Sequence, residues 1–132
     1  RTRIFTNHTD KEWLDNLLHP LIRNKILADL NAASSAYVVL VAPLLFENGL
    51  DKQCNRTLLI DVPKNVQVER TVKRDGVGLD QVNSIIAAQM SRENKQQKAD
   101  DILNNDRDLA LVKLDLLLLH DHYLKLASKS IT

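Results

Sequence analysis

The sequence predicts an α/β fold in which a parallel sheet is covered by helices, and three observations carry that expectation. Residues 37–42 (Tyr-Val-Val-Leu-Val-Ala) and 57–62 (Thr-Leu-Leu-Ile-Asp-Val) are short, continuous runs rich in β-branched and apolar residues. Neither alternates apolar with polar, the pattern of strands buried on both faces. Segments with apolar residues at three-to-four spacing precede and follow these runs, and right-handed crossovers between such elements make a sheet parallel.

Taken in order, Asp10 can cap a helix whose Trp13, Leu14, Leu17 and Leu18 share a face. Pro20 disfavours helical backbone at His19 yet suits the first turn of a new helix. Residues 10–33 therefore read as two helices broken at His19-Pro20, the second striped by Leu21, Ile22, Ile26, Leu27 and Leu30. The first strand, 37–42, is followed by a loop containing Pro43 and Glu47-Asn48-Gly49, and the second strand is 57–62. An amphipathic helix spans about 66–74, Gly76 and Gly78 break it, and another runs from about 79 to 90. A polar stretch, 91–98, precedes a short strand at Ile102-Leu103. Residues 108–127 form a final helix with Leu109, Val112, Leu116, Leu119, Tyr123 and Leu126 on one face.

A chain of 132 residues, 44% hydrophobic and 27% charged, is long enough for a core and has a globular composition. Its 18 basic and 17 acidic residues give a net charge of +1, which supplies no broad attraction to nucleic acid or to a membrane surface. The longest apolar runs are too short to span a bilayer. The single cysteine, Cys54, excludes an internal disulfide, and the cytoplasm is the expected location. His120-Asp121-His122 places residues two apart on different helix faces, so no metal site is expected there.

The candidate chemistry lies in two stretches. Ligands of open parallel sheets sit beyond the carboxyl ends of strands, which draws attention to Pro43-Leu44-Leu45-Phe46-Glu47 and to Asp61-Val62-Pro63. Glu47 and Asp61 are candidate ligand-side or magnesium-side carboxylates; local capping and ion pairing are the competing roles. Arg70 and Arg74, four apart, project from one helix face. Two adjacent guanidiniums suit a polyphosphate. The alternative is a solvated face neutralised by Glu69 and Asp75. Arg92, Lys95 and Lys98 add cations further on.

Five motifs in order and spacing resemble the dephospho-coenzyme A kinase family. They are His19-Pro20-Leu21-Ile22; Pro43-Leu44-Leu45-x-Glu47; Gln67-x-x-Arg70-x-x-x-Arg74-Asp75-Gly76; Gln89; and Ala99-Asp100-x-Ile102-x-Asn104-Asn105. The resemblance runs nearly from Arg1 to the last helix. It implies a P-loop kinase fold: an acceptor-binding helical region at 1–33, core strands and helix at 34–72, a lid at 73–92, and core again at 93–132. It implies phosphorylation by ATP, with Mg²⁺, of the ribose 3′-hydroxyl of dephospho-coenzyme A. By position, Arg70 matches a phosphate-contacting, transition-state-stabilising arginine, Arg74 joins it on the ATP side, and Asn105 matches a residue near the adenine. His19, Pro20, Pro43, Leu44 and Glu47 match the acceptor side.

The family's Gly-rich phosphate loop and the strand ending in its catalytic aspartate have no counterpart in these residues. ATP and Mg²⁺ binding are expected only with those parts, and these residues alone are expected to be inactive, with apolar sheet edges that favour self-association. Two other readings remain at this point: a different P-loop small-molecule kinase, such as a nucleoside monophosphate kinase, and a non-catalytic helical interaction module.

Overall fold

Thr57 and Asp61 begin and end the stretch that organises the fold. The computed structural model describes residues 7–129. Between those two residues, strand β1 (Leu58–Asp61) pairs in parallel with β2 (Asp101–Asn104), Leu58 opposite Asp101 and Asp61 opposite Asn104. The pairing is extended at both ends by backbone bonds, Asp101 N to Thr57 O at 3.0 Å and Asn105 N to Asp61 O at 2.8 Å. Three helices, α2 (Lys64–Asp75), α3 (Leu79–Ala87) and α4 (Arg92–Lys98), fill the crossover. The chain forms two compact units, 1–39 and 40–132, and the sheet belongs to the second.

The first unit contains α1, His8–Ala32. Asn7, not Asp10, caps it: Asn7 Oδ1 accepts from the amides of Thr9 and Asp10 at 3.0 and 3.3 Å. Asp10 sits in the first turn, where its charge suits the helix dipole. The expected break at His19-Pro20 does not occur. Pro20 lies inside one continuous helix of 25 residues, because a proline deletes one intrahelical hydrogen bond while the turns on either side keep theirs.

Residues 37–42, which straddle the boundary between the two units, are extended in sequence character yet form no strand. Val38, Val39 and Val41 are exposed. A β-branched run becomes a strand only when another strand satisfies its amides and carbonyls. The expected helices match closely. Gly76, at φ 63°, ends α2 in the left-handed conformation, its amide bonding Val72 O, which is the glycine C-cap. Ser91 caps α4 through Oγ, accepting from the Asn94 amide at 3.2 Å, so the polar stretch after Met90 is helical. The last helix, α5, spans Leu109–Lys129. The most buried apolar side chains, Val82, Leu103 and Val112, join α3, β2 and α5.

Candidate functional site

The carboxyl ends of β1 and β2 carry Asp61 and Asn105, and two helices, α2 and α4, send polar side chains toward them. From α2, Arg70 Nη1 donates to the Asn105 carbonyl at 2.9 Å. From α4, Arg92 grips Asp61 with two bonds, Nε to Oδ1 at 2.8 Å and Nη2 to Oδ2 at 2.7 Å. Gln96 Nε2 adds a third at 3.0 Å. Asp61 is only 8% exposed, so these partners are what make an ionised carboxylate tolerable there. The Arg92 guanidinium holds its carboxyl below the usual carboxylate range; burial works the other way, and Gln96 assists the lowering.

A cleft of about 370 Å³ opens beside this cluster, lined by Arg70, Arg74, Gln89 and Asn105 over an apolar floor that includes Val62, Val82 and Ile86. A larger hollow of about 850 Å³ lies against another face of α2, where Val68, Val72 and Leu79 dominate. The smaller cleft is the better candidate, because its polar groups converge at strand ends. The two arginines that sequence spacing places together do line one cleft. Arg74, however, is paired with its neighbour Asp75 through Nε and Nη2 at 2.6 and 2.8 Å, while Arg70 rests on a neutral carbonyl.

Pro43, Leu44 and Glu47 lie in one turn segment, closed by Asn48 N to Leu44 O at 3.0 Å. Glu47 Oε1 accepts from the Met90 amide at 2.9 Å and pairs with Lys95 Nζ at 3.2 Å. Burial pushes this carboxyl up, but the Met90 and Glu47 amides and the Lys95 ammonium outweigh burial and bring it below its ordinary range. Its Oε2 is buried with no hydrogen-bond partner among the described residues. His19 and Pro20 belong to α1 in the first unit, where His19 Nε2 lies 3.8 Å from Asp15.

Asp100 of the sequence motif and its neighbour Asp101 have no task assigned from sequence. Asp100 Oδ2 accepts from both the amide and the hydroxyl of Thr57 at 2.8 Å. Asp101 accepts from Arg56 Nε and Nη2 at 2.6 and 2.8 Å and from Tyr123 Oη at 2.9 Å. Both act at the amino ends of the strands, remote in register from Asn105. Cys54 is pushed up in pKa by burial and by Asp51, the opposite of an activated thiol.

A divalent ion finds no prepared set of ligands here. Asp61 and Glu47 are already engaged by cationic side chains, and among the described residues no three His, Cys, Asp or Glu side chains are grouped to hold a metal. Nor is any helix among them long and apolar enough to cross a membrane.

Comparison with known proteins bears on the same residues. The family model for dephospho-CoA kinase matches residues 1–110. A dephospho-CoA kinase of Pseudoalteromonas translucida is 74% identical over 129 residues, covering 98% of this chain and 61% of the relative. That of Escherichia coli K12 is 43% identical over 132 residues, covering all of this chain and 64% of the relative. The crystal structure of TT1252 from Thermus thermophilus superposes with a TM-score of 0.78 at 28% identity, covering 90% of this chain and 62% of that one. The chain thus spans less than two thirds of the length of the relatives it matches. It belongs to the dephospho-CoA kinase family.

Proposed function

We propose that this dephospho-CoA kinase family chain supplies the lid, the adenine side and the acceptor side of an enzyme that phosphorylates the ribose 3′-hydroxyl of dephospho-CoA with ATP. The observation that carries the reading is Arg70, its guanidinium set on the Asn105 carbonyl inside the cleft at the strand ends. An arginine anchored through one nitrogen to a neutral carbonyl keeps its charge and its other donors for phosphate oxygens. Charge developing on the transferring phosphoryl group is stabilised by such a fixed cation without reorganisation. Arg74 can join it by exchanging Asp75 for phosphate. By their positions in the family's motifs, Asn105 is assigned to the adenine side, and His19 and Pro20 of the first unit, like Pro43, Leu44 and Glu47 of the second, to acceptor binding.

Mg²⁺ would act on the phosphates, but the carboxylates of these residues do not fit as its ligands, so no step is routed through them. The cytoplasm suits a chain with one unpaired cysteine.

The test uses the intact protein, including the part of its relatives' length that these 132 residues do not span. Arg70→Ala should lower kcat for ADP release by about a hundredfold or more, with Arg70→Lys intermediate. Dephospho-CoA should be the preferred acceptor over nucleoside monophosphates. The 132 residues alone should show negligible turnover. Full activity of Arg70→Ala, or of the isolated chain, would overturn the assignment, and preference for a nucleoside monophosphate would favour another small-molecule kinase.

A further inference from the structure

Gln89 lines the cleft with Arg70, Arg74 and Asn105. Its Oε1 accepts from Lys95 Nζ at 3.2 Å. An ammonium has donors and no acceptor, so the carboxamide can face it only with its oxygen. Lys95 is in turn held by Glu47 Oε1 at 3.2 Å, and the two side chains are 17% and 19% exposed. The Met90 amide, next in the chain, donates to the same Glu47 oxygen. One carboxylate therefore fixes both the backbone and, through Lys95, the side chain at the end of α3.

With Oε1 engaged, Gln89 retains Nε2, which can only donate. Arg70 and Arg74 also only donate, and Asp75, the carboxylate among the lining residues, is taken up by Arg74. Arg70, Arg74 and Gln89 thus bring donors to one cleft, which suits an oxygen-rich anion. We propose that Gln89 is a binding residue of this cleft, donating from Nε2 to a polyphosphate oxygen, and that Lys95 and Glu47 are positioning residues that hold its orientation. This rests on the phosphotransfer reading for the identity of the anion. Rotation about the last bond of a carboxamide is soft and nearly two-fold. Without Lys95 the oxygen would turn toward phosphate as readily as the amide, and half of the bound states would be lost or repulsive.

The intact protein is titrated by calorimetry with ATP and with inorganic tripolyphosphate, and phosphotransfer to dephospho-CoA is followed alongside. Gln89→Ala should weaken both ligands about tenfold. Gln89→Glu, the same shape with a carboxylate, should weaken them more, by about a hundredfold. Lys95→Met and Glu47→Gln should each cost about twofold and add nothing to Gln89→Ala. The Tm of Gln89→Glu should stay at the wild-type value, which a merely structural role would not allow. Wild-type affinity in Gln89→Glu overturns the proposal, as does a Lys95→Met loss that adds in full to Gln89→Ala. Wild-type protein that binds both ligands but transfers no phosphate to dephospho-CoA overturns the activity reading instead. The titrations then still decide the role of Gln89. Wild-type protein that binds neither ligand overturns both.

Discussion

Asp61 shows how much a single side chain can be redefined by its neighbours. Its place at the end of an apolar run marks it as a candidate ligand carboxylate. What it does in the fold is bind Arg92 and Gln96, residues 31 and 35 positions away, a distance over which sequence gives no pairing rule. Its lowered pKa has a consequence for stability. A carboxyl depressed in the folded state contributes stability that is fully present above its unfolded value, near 3.9 for an aspartate. That contribution is lost as pH falls through the folded value. Asp101, lowered by Arg56 and by Tyr123 against burial, and Asp100, lowered by the Thr57 hydroxyl and amide against burial, act in the same direction. The chain should therefore lose stability below about pH 4. Asp61→Asn should reduce the proton uptake on acid unfolding by up to about one proton. Circular dichroism of urea melts between neutral and acid pH measures this, and an unchanged slope would remove Asp61 from the account.

At the scale of elements, local signals hold for α2, α3, α5, β1 and β2, and fail at Pro20 and at the run 37–42. Gly76 and Gly78 were both legible as breakers between α2 and α3, but they work differently. Gly76 holds φ at 63°, while Gly78 has ordinary extended backbone and caps α3 without any side-chain bond. A Cβ at either position would meet nothing within 4 Å, so space does not distinguish them; backbone does. Gly76→Ala should destabilise the chain by about 1–2 kcal/mol through left-handed strain alone. Gly78→Ser, which offers α3 the missing cap, should be neutral or stabilising by a few tenths of a kcal/mol. Urea midpoints with unchanged m-values would show both. The run 37–42 has the strongest β composition of the three expected strands, yet the other two, β1 and β2, are the ones that pair. Strand formation is a property of partners, and composition reports only suitability.

For the whole molecule, the relation between apolar content and burial is the informative quantity. On α5, Leu109, Leu114, Leu117 and Leu118 are 58–68% exposed, and Ile60 and Ile102 of the two strands are about half exposed. Exposed apolar side chains in such number favour association. The 132-residue chain should elute from size-exclusion columns with a concentration-dependent apparent mass. Leu117→Glu combined with Leu118→Lys should shift it toward the monomer. Concentration-independent elution as a monomer would show that these leucines are covered in solution.

The residue motifs and their spacing were enough to determine the family, most of the helical elements, the parallel relation of the strands that formed and the residues worth testing, because each depends on local pattern or on order along the chain. Arg70 and Arg74 needed only a helix to share a face. Tertiary structure alone decided that Arg70 rests on Asn105, that Glu47 reaches Met90 and Lys95, and that Asp61 belongs to Arg92. It also decided that 37–42 stays unpaired with β1 and β2 while α1 continues through Pro20. These outcomes turn on which groups meet across 30 to 50 residues of intervening chain, and on whether a backbone group finds a partner there. No periodicity in the sequence encodes such meetings.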